Sequence, residues 1–266
     1  MTGTPLKILS VGATGSIGRL VVPEALSAGH SVRALVRDTR KGRALGDNVE
    51  LVLGDLSESE SLKAAVDGVA AIIFTHGSDG MGKLGAEHVD YGGVQNILSA
   101  VGSRQVAIAL MTAIGVTNRT GSYNQTTEAH DWKRRAERLV RASGLPYTII
   151  RPGWFDYNDP DQHRLVFLQG DERQSCTPAD GVISRMQIAQ VLVGSVTDTS
   201  AHWKTFELVA EHGPAQESLT PLFSDIDRDR PGSLDAVRDV DNMPLSEEPA
   251  RVMSDLDAVR ARKASA

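Results

Sequence analysis

The residues best suited to holding a charged ligand are Gly12-Ala13-Thr14-Gly15-Ser16-Ile17-Gly18. Gly12 permits a tight turn, Gly15 lets the backbone approach a pyrophosphate, and Gly18 lets a following helix pack closely on a strand. The N–H groups around Thr14, Gly15, Ser16 and Ile17 then meet phosphate charge at a helix start. A purely structural glycine turn is the plainer alternative. No Gly-Lys-Ser/Thr closes the motif, which excludes a P-loop. Arg37 follows the next apolar strand, with Arg40, Lys41 and Arg43 just beyond. A planar guanidinium there pairs with a 2′-phosphate and lies over adenine, where an NAD site usually has an acidic residue. NADP(H) is therefore the expected cofactor. NAD(H) is the alternative, because Asp38 is placed to reach a ribose.

Two further segments fall on the same edge. Gly54-Asp55-Leu56 brings a carboxylate and backbone to the adenine side, or is an ordinary turn. Thr75-His76-Gly77 ends the fourth strand where ribose and nicotinamide would pass, with Gly77 allowing close backbone contact.

These residues need a scaffold, and the apolar spacing supplies one. Short strands are expected at Leu6–Val11, Val32–Val36, Val49–Leu53, Val69–Thr75 and Val106–Met111, separated by helical stretches such as Gly85–Val101. That alternation predicts an α/β fold: a Rossmann-like, doubly wound parallel sheet with a small C-terminal substrate-binding region. Thr112–Thr127 reads as irregular, Ala129–Ala142 as a helix and Tyr147–Arg151 as a strand stopped by Pro152-Gly153. Later elements are a strand at Leu165–Leu168, a helix at Ile183–Val196, a strand at Thr205–Val209 and a helix near Pro249–Arg262. The expected organisation is a cofactor-binding core over residues 1–153 and a mixed region over 154–266, partly integrated with it.

Taken in order, the glycine turn, Leu35-Val36-Arg37, Gly54-Asp55-Leu56, Trp132-Lys133-Arg134-Arg135-Ala136-Glu137 and the run from Ser143 to Gly153 resemble an atypical short-chain dehydrogenase/reductase of the NmrA-like, NAD(P)-binding group. The resemblance covers roughly residues 6–210. It implies a reductase of quinones, flavins or other conjugated carbonyls, an epimerase-like enzyme, or a redox sensor that binds cofactor without turnover. It places Thr112, after Met111, at the position of the carbonyl-polarising hydroxyl, and Lys133 at that of the lysine that holds the nicotinamide ribose. It also sets Pro152 and Gly153 beside the carboxamide, with Arg151 equally readable as structural. The usual tyrosine, four residues before Lys133, is replaced by Ala129. Tyr123, His130 and His76 are the candidate substitutes. Solvent is a fourth proton source, sufficient for a quinone or flavin whose reduced anion is already stabilised.

Aromatic residues are 5% of the chain, so Trp154-Phe155-Asp156-Tyr157 stands out. With the loop to Asp180, opposite His76 and Tyr123, it suggests a wall for a flat aromatic or quinoid substrate, or else ordinary core. The expected activity is NADPH-dependent hydride transfer to a quinone, flavin or conjugated carbonyl. An aromatic secondary metabolite whose reduced form reacts with oxygen is one form of it, and a non-catalytic NADP(H) sensor is the alternative.

The charge balance, 28 Lys+Arg against 34 Asp+Glu, argues against a nucleic-acid partner. A single cysteine, Cys176, excludes a disulfide framework and a cysteine-rich metal site; no metal is expected. No apolar run approaches the length of a membrane span, and the start does not read as a secretory signal. A cytoplasmic monomer or homodimer is expected.

Overall fold

The computed structural model describes residues 4–78 and 80–264. The first βα units are β1 (Lys7–Val11), α1 (Gly18–Ser27), β2 (Ser31–Val36), a one-turn α2 (Thr39–Gly42), β3 (Val49–Leu53), a short α3 (Lys63–Val66) and β4 (Ala71–Phe74). A continuous helical run comes next. It consists of α4 (Gly82–Gly85), a π-helical stretch Ala86–Tyr91 and α5 (Gly92–Val101), leading to β5 (Ala107–Met111). Then come α6 (Ser122–Thr127), α7 (Ala129–Ser143), β6 (Tyr147–Pro152), β7 (Trp154–Phe155), β8 (Arg164–Leu168), β9 (Val182–Ile183), α8 (Arg185–Thr197), β10 (Lys204–Glu211), α9 (Thr220–Asp225) and α10 (Ala250–Ala264).

The central strands lie in the order β3-β2-β1-β4-β5-β6-β10, and all these neighbours are parallel. Beyond them, β8 and β9 both run antiparallel to β10. The order reverses between β1 and β4, which opens a crevice at the carboxyl ends of those strands. Strand side chains alternate between two apolar layers. Leu9, Val11, Ile72 and Phe74 pack with α5, α7 and α10, whereas Ile8, Ala71 and Ile73 pack with α1 and α8. Since β10 continues the parallel sheet and α8 covers it, residues on both sides of position 153 build one sheet.

Two elements differ from the expected ones for local reasons. The irregular stretch contains α6, and α8 begins at Arg185 because Ser184 and Gln187 form a capping box. The acidic, proline-containing segment beyond Pro214 is packed on this chain's own α7. Arg134, Arg135, Arg138 and Arg141 all lie on the buried side of that helix. Asp235 accepts from Arg134 at 3.0 Å and from Arg138 at 2.6 Å, Glu248 from Arg135 at 2.6 Å and Arg138 at 2.7 Å, and Asp229 from Arg141 at 3.1 Å. Val252, Leu256 and Val259 of α10 then enter the core.

At the end of β4, His76 turns inward. Its Nε2–H donates to the Val89 carbonyl at 3.0 Å, and a side chain at Gly93 would strike the ring. Burial drives its pKa down to about 4, with the charge of Asp90 opposing this more weakly.

Two stability measurements test these contacts. Glu248→Gln removes one charge from a side chain only 1% exposed and should cost about 3 kcal/mol in chemical unfolding. The exposed Glu60, paired with Lys63, should cost less than about 0.5 kcal/mol when changed to Gln. For His76, the unfolded chain takes up a proton near pH 6.5 while the folded one stays neutral down to about 4. Stability contributed by this group is therefore full above 6.5 and lost as pH falls toward 4, by roughly 1.4 kcal/mol per unit. His76→Gln should lose less stability than the parent over that window; parallel pH curves would contradict the assignment.

Candidate functional site

The glycine turn joins β1 to α1 at the crevice. Gly12 has φ +88°, and a Cβ there would lie 2.6 Å from the His76 backbone nitrogen. A Cβ at Gly18 would run into the Gly12 carbonyl. Gly15 donates its N–H to the Gly12 carbonyl at 2.9 Å, while Thr14, Gly15 and Ser16 face outward and Ile17 is anchored in the core. Arg19, which sequence reasoning passed over, donates to the carbonyls of Gly15 (3.3 Å) and Thr14 (3.2 Å) and so braces the turn. The cradle fits a pyrophosphate: its outer side is open at the three exposed residues and its inner side is too tight for a side chain.

On the adenine side, Arg37 is exposed just after β2. Asp38 caps α2, accepting from the Arg40 N–H at 2.8 Å. Asp55 accepts from the backbone N–H (2.8 Å) and hydroxyl (2.7 Å) of Ser57. Those bonds hold its carboxyl below the usual range, and the Arg37 charge adds a smaller pull. Leu56 packs against the core, its carbonyl taking a hydrogen bond from Asn96 at 2.6 Å.

At the ends of β4 and β5, Thr75 donates its hydroxyl to the Val11 carbonyl at 3.1 Å, and Gly77 is exposed. Beside Gly77 sits Asp90, placed by the π-helical stretch. It accepts from the Ser78 hydroxyl and, at 2.6 Å, from Lys133 Nζ. Met111 ends β5 half-buried, and the next residue, Thr112, donates its hydroxyl to Glu137 at 2.7 Å. Glu137 in turn pairs with Arg151 at 2.7 Å. Arg151 is fully buried and also meets Asp239 at 2.7 Å and Glu207 at 3.2 Å. Burial pushes the Glu207 carboxyl up to about 7 despite that guanidinium. Its other oxygen accepts from the Asp171 N–H at 3.1 Å, while the Asp171 carboxylate accepts from the N–H groups of Gly115 (2.6 Å) and Thr117 (2.7 Å).

Next to Pro152 and Gly153 lies a cavity of about 640 Å³. Its wall includes Tyr123, His130, Trp154, Phe155 and Tyr157, with Gly115 and Ile114 on the strand side and Cys176 and Asp180 from the later loop. Tyr123 and His130 are in ring contact at 5.1 Å, as are Trp154 and Tyr157 at 6.1 Å. Arg185 pairs with Asp156 and lies over the Phe155 ring. Burial lowers the His130 pKa, and its Nδ1 is buried without a hydrogen-bond partner. The fold thus gathers Tyr123, His130, Pro152 and Gly153 at one cavity. Thr112, Lys133 and His76 are outside its wall, which corrects the expectation that His76 faces the substrate aromatics. His76 packs instead against α5, and at neutral pH it is not a cationic acid. Ala129 is buried one helical turn from Lys133 and supplies no hydroxyl.

Comparison with known proteins identifies the family. The NAD(P)H-binding family profile matches residues 12–199. A Bacillus subtilis protein named as an uncharacterized sugar epimerase, YhfK, is 31% identical over 82% of this chain and all of its own length. The rice chloroplast protein TIC 62 is 29% identical over 77% of this chain, which spans only 46% of that relative. Among solved structures, an oxidoreductase, ylbE, from Lactococcus lactis superimposes with a TM-score of 0.66 at 19% identity, covering 83% of this chain and 96% of that one. A short-chain dehydrogenase/reductase from Veillonella parvula, in complex with NADP, gives 0.60 at 16%, covering 81% and 100%. At these identities the structural likeness is one of fold. The cytoplasmic expectation is overturned: several of the relatives are named as chloroplastic proteins. A start unlike a secretory signal does not bear on organellar placement. Among the described residues no helix is long and apolar enough to cross a membrane. The chain belongs to the NAD(P)H-binding family, as an oxidoreductase of the NmrA-like, atypical short-chain dehydrogenase/reductase type that uses NADP(H) or NAD(H).

Proposed function

We propose that the protein reduces a quinone, a flavin or another conjugated carbonyl compound with NADPH. The observation that carries this reading is the aromatic-walled cavity beside Pro152-Gly153, at which no residue stands in the usual place of a tyrosine acid. A flat ring fits between Trp154, Phe155 and Tyr123 better than an aliphatic ketone does. The dinucleotide, once bound, supplies the hydride. The chain's part is placement. Thr14 and Ser16 offer backbone N–H groups to the pyrophosphate, Gly15 between them leaves room for its approach, and Arg37 pairs with the 2′-phosphate. Asp55, Leu56, Thr75 and Gly77 border the path of the adenosine and ribose, and Pro152 with Gly153 forms the wall at the carboxamide.

Lys133 clamps the ribose while Asp90 fixes its ammonium, leaving two of its three N–H groups to donate. Asp90 is therefore a positioning residue, one the sequence did not single out. The Thr112 hydroxyl proton is committed to Glu137, so it does not polarise a carbonyl in this arrangement. A substrate whose reduced anion is spread over a conjugated ring needs no acid held ready, and water at the open side of the cavity protonates it. A reduced aromatic product that reacts with oxygen falls within the same class.

Steady-state NADPH oxidation against naphthoquinones, anthraquinones and free flavins, with oxygen uptake recorded, tests the reading. Substrate-dependent oxidation by at least one class is expected. Tight NADPH binding with no oxidation across the panel would sink it and leave NADP(H) sensing as the better account. Arg37→Ala is expected to raise the KM for NADPH on the order of ten- to a hundred-fold while changing that for NADH little, since a charge-assisted pair to phosphate is lost. Equal small changes would remove the 2′-phosphate role.

A further inference from the structure

The loop between β5 and α6 supplies one side of the cavity, with Ile114, Gly115, Ser122 and Tyr123 in its wall. It forms neither helix nor strand before α6 begins at Ser122, so its course depends on outside ties. Thr117 is the tied point, buried at 1% exposure. Asp171 accepts from its N–H at 2.7 Å and from its hydroxyl at 2.8 Å, and Gln174 Nε2 donates to the same hydroxyl at 2.8 Å. The Thr117 carbonyl points the other way and accepts from Asn242 Nδ2 at 3.0 Å.

Asn242 belongs to the segment after β10 that packs on α7, and every polar group it carries is engaged. Its N–H donates to the Val240 carbonyl at 3.0 Å, and its Oδ1 accepts from Arg134 Nη1. Its carbonyl accepts from Arg119 Nη1 at 2.7 Å. The amide orientation is fixed by these partners, since a guanidinium only donates and a carbonyl only accepts. Arg134 is fully buried and held by Asp235 at 3.0 Å, which makes it a firm anchor. Bracing the C-terminal segment on α7 requires only the Arg134 bond. The other two bonds cross to the cavity loop, 125 and 123 positions away.

We infer that Asn242 is a positioning residue for the substrate: by holding Thr117 and Arg119 to α7, it fixes the loop that carries Gly115 and Tyr123 and so sets the shape of the slot for the ring. This rests on the proposed placement of the ring in that cavity. Asn242 itself stands outside the cavity wall. Among the described residues, Thr14, Ser16 and Arg37 make no bond to this segment, so cofactor affinity is a separate property.

Asn242→Asp separates the two duties of the side chain. The carboxylate keeps an acceptor for Arg134 but turns an oxygen without a proton toward the Thr117 carbonyl. The segment stays on α7 while the loop loses its tie. Glu248→Gln is the comparison, because it weakens the hold of the same segment on Arg135 and Arg138 and has no bond to the loop. The full chain with NADP+ is titrated with anthraquinone-2-sulfonate, and tryptophan quenching gives Kd. Steady-state reduction by NADPH gives KM and kcat, and hydrogen exchange is followed over residues 113–123. Asn242→Asp should raise Kd and KM for the anthraquinone about five- to ten-fold, the ordinary scale for one lost hydrogen bond. Loop exchange should quicken, with kcat and the KM for NADPH nearly unchanged. Glu248→Gln should alter none of these. Asn242→Ala, lacking both side-chain bonds, is the second variant should the aspartate not fold, and is expected to show the same loop effect.

Faster loop exchange with an unchanged Kd would overturn the inference, since the loop would be tied without shaping the slot. Unchanged exchange would overturn it too, leaving Asn242 a brace for its own segment. Equal weakening in Glu248→Gln would assign the effect to the segment as a whole. If the parent binds the anthraquinone but oxidises no NADPH with any quinone or flavin, the reductase reading fails alone and Asn242 is still judged by Kd and exchange. If it neither binds nor reduces any of these compounds, the ring has no place in the cavity and both fall.

Discussion

The guanidinium of Arg151 is the point from which the site is held. It lies at the end of β6 with no exposure, and a charge stripped of water there is tolerable only if carboxylates surround it. Three do so: Glu137 from α7, Glu207 from β10 and Asp239 from the C-terminal segment. Each then fixes something else. Glu137 takes the proton of Thr112 and meets Arg141, Glu207 receives the Asp171 N–H, and Asp171 ties down Gly115 and Thr117. A single buried cation therefore connects the end of β5, the helix bearing Lys133, the last parallel strand and the loop beneath the cavity. Burial raises Glu207 to about 7 while Asp239 is held well below the usual range, so the cluster divides its charge unevenly.

That network explains which parts of the fold could be read from residues alone. The parallel strands are short apolar runs ended by glycine or a polar residue, and the central ones match their expected bounds to within a few residues. Periodicity works there because both faces of each strand are buried. The same logic breaks down on α7. Arg134, Arg135, Arg138 and Arg141 have the spacing and polarity of a solvated face, yet all are covered. Their carboxylate partners lie about 90 to 110 positions away in a segment without periodic pattern, and hydropathy has no means of matching them. Similarly, β7 and β9 are two-residue strands that exist only through pairing with each other and, for β9, with β10.

The site divides along the same line. The glycine turn was legible because its chemistry is local: a positive φ at Gly12 and close packing at Gly12 and Gly18 are demands that only glycine meets. The resemblance of the later motifs identified the positions of Thr112 and Lys133 but not their partners. Asp90 reaches Lys133 only because a π-helical stretch shifts the helix register there, a feature often found at functional positions and one without a residue signature here. His76 had the right place on the sheet edge and the wrong direction, since the missing side chain at Gly93 draws its ring inward.

The two sides of the cofactor path differ in their chemistry. On the sheet side, the polar groups that would carry protons in an ordinary short-chain reductase are held in structural pairs: Thr112 with Glu137, Lys133 with Asp90. On the cavity side, Trp154, Phe155, Tyr157 and Tyr123 bring aromatic rings to the wall. An aliphatic ketone needs an acid ready as hydride arrives, because its alkoxide is strongly basic. A conjugated ring disperses that charge and makes a different demand, for a flat slot and a fixed edge. On the proposed reading, the aromatic rings of Trp154, Phe155 and Tyr123 meet the second set of requirements in the place where the first is missing, which makes Ala129 in the usual place of the tyrosine compatible with hydride transfer.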